Sequence, residues 1–555
     1  MKKYIIPSIL ALFAVVSCGD EFDDMNTSKT EITESSLQPG PLLGRAMYYG
    51  SSADHQRNFN LFDDEYAHYL SPMGLGGTNQ YVYNAGWGDI FWRDFYTARQ
   101  REFLEVKALC EGDASMKAVG AMNDIWNVIM WLRIVDRNGD APYMDADGNY
   151  AGTGTTIPYN SQEEIYLDFF KRLKADSDVL GDTEGQVGIG DYDLIYGNDF
   201  AKWRRLANTL IMRLALRVSE TSIAATAQTY YKGAAALAMN APSDYARISC
   251  DSVIWGDYYD RTYYDWANTI PEDCFMSVLN GTNAGYTTGV VDPRRSFWFE
   301  AGDLTSTTGN QWDGYPNGTI PNGTDAAQTS AHGGNSAGNS SSYARLNCSS
   351  KDGFFFFDFH NSANQNLSWC YATYSETLFL KAEAILRGWD SGNAESVWKD
   401  AIRASMDELA FFITRSGGSK TISSAEYQAY VAALPAFGSS NEQKLRSIAI
   451  QKWIALFPNS IEAWAEIRRT GYPAVSDGTV QLPLYNSGAQ VEKGNLIQRM
   501  PYPENELQTN EDNMPADFRS NGAKFTYRTE WGLFWSQAAV RHDGRLKATD
   551  VPVNF

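Results

Sequence analysis

Tyrosine and tryptophan side chains in segments rich in Gly, Asn and Ser are the residues of this sequence best suited to bind a ligand. A flat aromatic ring can stack on the apolar C–H face of a sugar, while amide, carboxylate and guanidinium groups serve its hydroxyl edges. Rings on loops are freer to face solvent than rings on the apolar stripe of a helix. The competing interpretation of each ring is packing in a loop-rich core, to which we assign Trp92 and the Phe354–Phe357 run. We predict that the ligand-binding residues are Tyr81, Trp87, Trp312, Tyr315, Trp255 and Tyr259.

Motifs that could support catalysis are weak. The segment Gly334–Gly338 matches the G-x-S-x-G pattern of a nucleophile elbow, but its polar flanks lack the buried strand and the helix that an elbow needs. Carboxylates such as Asp63, Asp64 and Glu65 could form the pair that a glycoside hydrolase uses, although 67 acidic residues make such pairs common by chance. We therefore predict that the protein is not an enzyme, with a lipid-anchored glycoside hydrolase as the remote alternative.

Metal and cofactor motifs are equally weak. None of the five His residues lies in H-E-x-x-H or in another short ligand cluster. Asp136, Asn138 and Asp140 resemble the start of a calcium loop, but Ala141 stands where an EF-hand requires Gly. A turn explains this segment, with a solitary calcium site as the alternative. We predict no metal site and no cofactor.

The six Cys residues contain no C-x-x-C pair, which disfavours a zinc ribbon or a thioredoxin-like site. Two disulfides are compatible with an exported protein, Cys250–Cys274 and Cys348–Cys370. Isolated buried thiols are an equally good interpretation, and the sequence does not choose between them.

The N-terminus reads as a secretion signal. A basic Met1–Lys3 is followed by a mostly apolar run over Tyr4–Val16, which is too short to span a bilayer. Cys18 directly after a small residue resembles a bacterial lipobox, which predicts cleavage of residues 1–17 and acylation of Cys18. An ordinary signal peptide cut elsewhere is the alternative. We expect residues 18–40 to form the lipidated N-terminus and an acidic tether.

The charge balance limits the partners. With 46 Lys plus Arg and 67 Asp plus Glu, the net charge is 46 − 67 = −21, which opposes binding to a nucleic-acid backbone.

Apolar residues at three- and four-residue spacing predict helices on both sides of a loop-rich middle. An αα-hairpin is expected over about 87–137, and Ser161 with Glu164 forms a capping box for the next helix. The middle, about 241–368, is rich in Gly, Ser, Asn and Asp, and the tail 474–555 is irregular. The remaining helices are predicted at 200–218, 230–239, 374–387, 397–414, 424–434, 442–457 and 461–469.

Several segments resemble, in family order, the signature of SusD/RagB proteins, the outer-membrane nutrient-binding lipoproteins of Bacteroidota. Ile134–Tyr143 resembles "VD-x-x-GD-x-PY", and Lys202–Arg217 resembles "KW…AN-L…RLA-R". Leu380–Gly388 resembles "AEA-x-x-RG", Glu462–Pro473 contains EIRRTGYP, and Arg499–Glu506 resembles "R-x-x-YP-x-x-E". Together with the lipobox, the matches extend in family order from Cys18 to about residue 510.

This resemblance implies a mainly α fold in which tetratricopeptide-like helix pairs pack against a loop-rich, irregular ligand-binding region. We expect residues 41–555 to form one such domain. The resemblance also implies a surface-exposed, lipid-anchored protein of the outer membrane that binds an oligosaccharide and delivers it to a SusC-like TonB-dependent transporter. A peptide ligand is the alternative within the family.

The residues that carry the resemblance also have structural interpretations. Gly139 and Gly471 suit turns with positive φ. Arg213, Arg217, Arg468 and Arg469 are expected to bridge carboxylates within the fold. Packing is the expected role of the motif tryptophans, Trp203, Trp453 and Trp464.

Overall fold

Helices make up most of the architecture in the computed structural model of the chain, which confirms the prediction of a mainly α protein. The structure describes residues 37–52, 55–72, 83–148, 156–249, 269–302, 311–315, 343–356, 366, 368–474, 478–480, 497–518 and 532–536. By its contacts the chain divides after Pro39, and the features below lie in the second unit, Gly40–Phe555.

The first half of the chain is a succession of helices, two of which form the predicted αα-hairpin. A π-helical turn, Phe95–Arg99, joins the helix Ile90–Asp94 to the helix Gln100–Glu111, and the hairpin is made by Gln100–Glu111 and Lys117–Asn138. The bounds are α1 (Pro39–Ser52), α2 (Asp63–Tyr66), α3 (Ala85–Gly88), α4 (Ile90–Asp94), α5 (Gln100–Glu111), α6 (Lys117–Asn138), α7 (Met144–Gly148), α8 (Gln162–Val179), α9 (Phe200–Arg217) and α10 (Ala224–Ala234).

The second half contains two short helices in the loop-rich middle, five longer ones and one short helix near the C-terminus. The bounds are α11 (Asp273–Asn280), α12 (Arg295–Trp298), α13 (Tyr374–Leu386), α14 (Ala394–Phe412), α15 (Ser424–Ala433), α16 (Asn441–Leu456), α17 (Ser460–Thr470) and α18 (Glu504–Thr509). Neighbouring helices pack in series: α5 on α6, α6 on α8, α8 on α9, α9 on α13, α13 on α14 and α16, and α16 on α17.

The strands of the described residues are short: β1 (Leu70–Pro72), β2 (Ala246–Ser249), β3 (Thr269–Pro271), β4 (Phe299–Glu300), β5 (Arg345–Leu346) and β6 (Ser368–Ala372). They form three two-stranded antiparallel sheets, in which β1 pairs with β3, β2 with β6 and β4 with β5. In each pair at least one strand comes from the loop-rich middle.

Local capping explains where several helices begin and end. The Ser161 hydroxyl accepts a hydrogen bond from the Glu164 backbone N–H at 3.3 Å, and the Glu164 carboxylate accepts from the Ser161 N–H at 3.0 Å, as the capping box predicts. Gly471 ends α17 with φ 77°, a conformation that glycine adopts without a steric penalty.

Two sequence-based element predictions were wrong. The helix expected at 230–239 lies at Ala224–Ala234. The prediction placed its start too late because the first turns carry small and polar residues, which give no clear apolar stripe. The tail expected to be irregular contains α18, a short helix that packs through few apolar side chains.

Buried charges join the motif segments in the centre of the molecule. Arg217 donates to Asp136 and Glu462, and its side chain is 1% exposed. Arg213 donates to both carboxylate oxygens of Glu376, at 2.7 and 2.6 Å. These bonds link α6, α9, α13 and α17, so the predicted bridging role of these two arginines is confirmed.

Arg469 extends this network, whereas Arg468 does not. Arg469 donates to both oxygens of Glu383 at 2.7 Å and to Glu466 at 3.0 and 2.8 Å. Arg468 instead donates to the backbone carbonyls of Asp136 and Gln498, at 2.6 and 3.1 Å. Burial lowers the pKa of the Arg468 guanidinium to about 9, and no carboxylate of the described residues accepts a hydrogen bond from it. The prediction that Arg468 bridges carboxylates was therefore wrong.

The three motif tryptophans are packing residues, as predicted. Each is at most 1% exposed. Each indole N–H is also satisfied: Trp203 donates to Asp193, Trp453 to the Ala67 carbonyl and Trp464 to the Ile497 carbonyl, at 2.9, 2.8 and 3.1 Å. Trp453 and Trp464 thus connect segments that are separated in sequence, whereas Trp203 bonds to a residue ten positions earlier.

Candidate functional site

A surface cleft of about 440 Å³ lies between the segment from α3 to the Phe95–Arg99 turn and the C-terminal helix α18. This volume lies within the range of small-ligand sites in proteins. Ile157 and Pro142 complete the walls. The cleft therefore joins two parts of the chain that are about 400 residues apart in sequence.

Aromatic rings form one wall of the cleft. Trp92 and Tyr96 both line it, and their ring centroids are 5.1 Å apart. Behind them, Tyr159 lies nearly parallel to Trp92 at 6.5 Å, and Tyr502 meets Trp92 edge-on at 5.9 Å. Trp92 is 6% exposed, so it supports the wall more than it presents a face.

Polar side chains supply the rest of the lining. Glu506 accepts hydrogen bonds from the Tyr159 hydroxyl at 2.8 Å and from the Asn510 amide at 3.1 Å. Asp89 accepts from the Tyr83 hydroxyl at 2.7 Å, and burial raises the pKa of the Asp89 carboxyl despite this bond. The cleft also contains Arg93, Thr97 and the exposed Asn505. An aromatic wall with amide and carboxylate edges is chemistry suited to a hydroxylated ligand.

The structure separates the six sequence-predicted ligand residues. Trp87 is half-buried on α3, next to the cleft-lining Ala85 and Gly86. Trp312 is also half-buried, whereas Tyr315 is 1% exposed and packs edge-on against Tyr343 at 5.2 Å. Because its ring is enclosed, Tyr315 presents no face for stacking in this structure. Tyr81, Trp255 and Tyr259 lie outside the described residues.

Trp312 is fixed by two neighbouring side chains. The Arg295 guanidinium lies 3.8 Å from the centroid of the Trp312 ring, a cation–π distance. Arg295 also donates to the Asn280 amide oxygen at 2.6 Å, and the Asn280 amide donates to the Trp312 carbonyl at 2.9 Å. The ring is therefore held in place before any ligand arrives.

The acidic residues considered for hydrolysis are inaccessible. Asp63, Asp64 and Glu65 are at most 1% exposed. Arg137 lies 3.2 Å from Asp63, yet burial outweighs this charge and raises the pKa of Asp63 to about 6. The three carboxylates therefore belong to the core of the fold. The G-x-S-x-G segment lies outside the described residues.

The cysteines described by the structure favour isolated thiols. Cys370 is a free thiol, so the Cys348–Cys370 pair is not formed, and Cys274 is likewise free. Cys250 and the lipid-attachment residue Cys18 lie outside the described residues.

The fold and the cleft define a mostly helical protein of stacked helix pairs with a ligand-sized, aromatic and polar cleft at its surface. Residues 24–536 match the family model "Susd and RagB outer membrane lipoprotein", and the chain belongs to this SusD-like family. No helix of the described part combines the length and the apolar character needed to cross a membrane.

Solved structures share this fold. A chitin-binding protein superposes with a TM-score of 0.70 at 22% identity, covering 90% of this chain and 100% of its own. A chitin-binding SusD homolog from Flavobacterium johnsoniae gives 0.67 at 21% identity, covering 89% and 97%. A SusD-like protein from Bacteroides thetaiotaomicron VPI-5482 gives 0.67 at 21% identity, covering 90% and 99%. The comparison with curated proteins gave no significant match.

Proposed function

We propose that this protein is a surface-exposed lipoprotein that binds an oligosaccharide and delivers it to a SusC-like TonB-dependent transporter. The observation that carries the ligand class is the cleft, which is lined by the ring of Tyr96, with Trp92 supporting the same wall, and by the amide of Asn505 and the carboxylate of Glu506. Trp312, with its ring held beneath Arg295, is a second stacking candidate. Family membership supports the lipid anchor and the transporter partner.

Replacing Trp87 or Trp312 by alanine is expected to weaken oligosaccharide binding by about 10-fold or more, equivalent to about 1.4 kcal/mol. A stacked aromatic ring contributes contact area at little cost in conformational entropy, so its removal exceeds the effect of losing one exposed hydrogen bond. Isothermal calorimetry measures the change.

The ligand panel for this experiment contains chitin-derived and other neutral oligosaccharides together with short peptides. Chitin fragments are included in the panel because two proteins of the same fold are described as chitin-binding. Tyr192→Ala removes a ring that is 50% exposed and serves as the control. Asn505→Ala tests the cleft separately from Trp312. Unchanged glycan affinity in all three site variants would refute the site, and binding of peptides alone would establish the alternative ligand class.

Cys18→Ala is expected to release the protein from the membrane fraction, because a lipid on this residue would be its only anchor in the proposal. Metabolic labelling with a radioactive fatty acid followed by membrane fractionation measures the effect. Labelling that persists in the variant would contradict lipidation at Cys18. A Cys110→Ala variant controls for the loss of a thiol.

A further inference from the structure

His68, Glu272 and Cys274 meet in the interior at the end of the β1–β3 sheet. Leu70 pairs with Pro271 in that sheet, and the Glu272 N–H donates to the Tyr69 carbonyl at 3.0 Å. This pairing brings His68, which precedes β1, next to Glu272, which is 204 residues later and follows β3. Cys274 lies in the first turn of α11. The β1–β3 pairing and the start of α11 therefore place the three side chains together.

The cluster is closed to solvent. His68 is 1%, Glu272 0% and Cys274 6% exposed. The Nδ1 atom of His68 is 3.3 Å from Oε2 of Glu272, and Sγ of Cys274 is 3.5 Å from the same oxygen. One potential ligand atom from each residue lies within 4.8 Å of the other two. An imidazole nitrogen, a carboxylate oxygen and a thiol sulfur thus surround a single point in the core.

These distances correspond to the edges of a tetrahedral zinc site. With Zn–N and Zn–O bonds of about 2.05 Å and a Zn–S bond of about 2.3 Å, tetrahedral angles place N and O about 3.3 Å apart and S and O about 3.5 Å apart. The two separations at Oε2 agree with these values, and the third edge, between an imidazole nitrogen and Sγ, is at most 4.8 Å. The Sγ–Oε2 separation also suits a thiol hydrogen bond to Glu272, whereas the Nδ1–Oε2 separation is longer than the 2.9 Å that is usual for an N–H···O bond.

The electrostatics of the cluster also favour a cation. Oε1 of Glu272 has no hydrogen-bond partner among the described residues, and His68 is its sole potentially cationic neighbour there. A buried carboxylate without compensation is costly. A divalent ion with one carboxylate, one thiolate and a neutral imidazole gives a net charge of zero, so it removes this cost. The mixed N, O and S set selects a borderline-soft ion over Ca²⁺ or Mg²⁺.

The backbone of His68 adds an independent observation. Its φ is 58°, in the left-handed region that few residues other than glycine adopt. Such conformations cost about 1–3 kcal/mol and concentrate where the surroundings require a particular side-chain position. Here the conformation directs a buried imidazole at Glu272.

We propose that His68, Glu272 and Cys274 supply three ligands of a buried site for a zinc-class transition-metal ion, which ties the segment before β1 to the start of α11. This site is separate from the ligand cleft, and its test does not depend on the proposed function.

Metal binding to the purified mature protein, stripped with a chelator, tests the proposal. We expect one Zn²⁺ per chain with a Kd below about 1 μM, no competition by excess Ca²⁺ or Mg²⁺, and a thiolate-to-metal charge-transfer band when Co²⁺ is bound. Cys274→Ser should abolish this band and weaken Zn²⁺ binding by at least about 100-fold, since loss of a supporting residue alone costs 10–100-fold. Cys348→Ser, which removes another buried thiol, should change neither.

A second variant and a crystallographic measurement distinguish loss of a metal ligand from a folding defect. His68→Asn keeps a residue that tolerates positive φ while removing the imidazole, and it should bind Zn²⁺ at least about 100-fold more weakly. A zinc-edge anomalous difference map of the unaltered protein should show a peak between the three side chains. Absence of stoichiometric zinc binding, a peak elsewhere, or a cobalt band that survives in Cys274→Ser would overturn the proposal.

Discussion

Replacing Arg217 by methionine is expected to lower the free energy of unfolding by about 3–5 kcal/mol. Arg217 is 1% exposed and donates to Asp136 of α6 and Glu462 of α17, so its removal leaves two buried carboxylates without their principal cation. Breaking one partner of a buried ion pair typically costs this much, because the remaining charge cannot be hydrated. A loss of this size is a large part of the 5–15 kcal/mol by which proteins are usually stable.

Urea unfolding followed by tryptophan fluorescence measures this loss by linear extrapolation. Lys399→Met is the matched control, since it breaks a pair in which Lys399 and Glu395 are 40% and 47% exposed. Exposed pairs contribute about 0–1 kcal/mol, so the control should remain close to the unaltered protein. If Arg217→Met lost less than about 1 kcal/mol, the network would not have the stabilising role that its burial indicates.

Glu408→Gln is expected to stabilise the protein at pH 8 by about 3 kcal/mol relative to its effect at pH 4.5. Glu408 is buried on α14 and accepts hydrogen bonds from the Ser375 N–H at 2.8 Å and from its hydroxyl at 2.6 Å. Burial raises the pKa of Glu408 from 4.5 to about 7, in spite of these two bonds. At 1.36 kcal/mol per pKa unit, this shift corresponds to about 3 kcal/mol.

The direction of the pH dependence of stability follows from the protons bound by the folded and unfolded states. Between about pH 4.5 and 7 the folded protein retains a proton on Glu408 that the unfolded chain has released, so stability from this group is complete below pH 4.5 and falls as pH rises through 7. Asp63, with its pKa raised from 3.8 to about 6, acts in the same direction. Glu383 acts oppositely at lower pH: Arg469 and Arg387 outweigh its burial and hold its pKa at about 2, so its contribution is lost as pH falls from 4.5 towards 2.

Chemical unfolding at pH 4.5, 6 and 8 tests the prediction for Glu408. Glutamine preserves the shape and can still accept from the Ser375 N–H, so the difference between variant and unaltered protein should grow with pH. Glu395→Gln removes an exposed carboxylate from the same helix and controls for the change in net charge. A difference that stays constant across this pH range would contradict the raised pKa.

Local sequence signals predicted the helices well. The capping box at Ser161 and the apolar spacing after it placed α8, and the predicted 374–387, 442–457 and 461–469 lie within one residue of α13, α16 and α17. These signals act over three or four residues and therefore need no knowledge of the fold.

The sites were harder to predict because they depend on contacts between distant residues. The cleft needs α18, which carries no strong apolar stripe, to meet the segment around Trp92. The sequence did not predict the cluster of His68, Glu272 and Cys274, because 204 residues separate His68 from Glu272 and no short metal-binding motif contains the three residues. Tyr315 was wrongly expected to be exposed because it lies in a loop. Its contact with Tyr343, which the sequence does not reveal, buries the ring.

The hydrogen bonds of Arg217 also affect when the fold can be completed during synthesis. Arg217 bonds to Glu462, 245 residues later, so a chain still emerging from the ribosome lacks one of its two carboxylate partners until nearly the end of translation. Contacts of such long range slow folding and delay the completion of a stable core. Under the export proposed for this chain, the first half would therefore leave the cytoplasm before the network around Arg217 is complete.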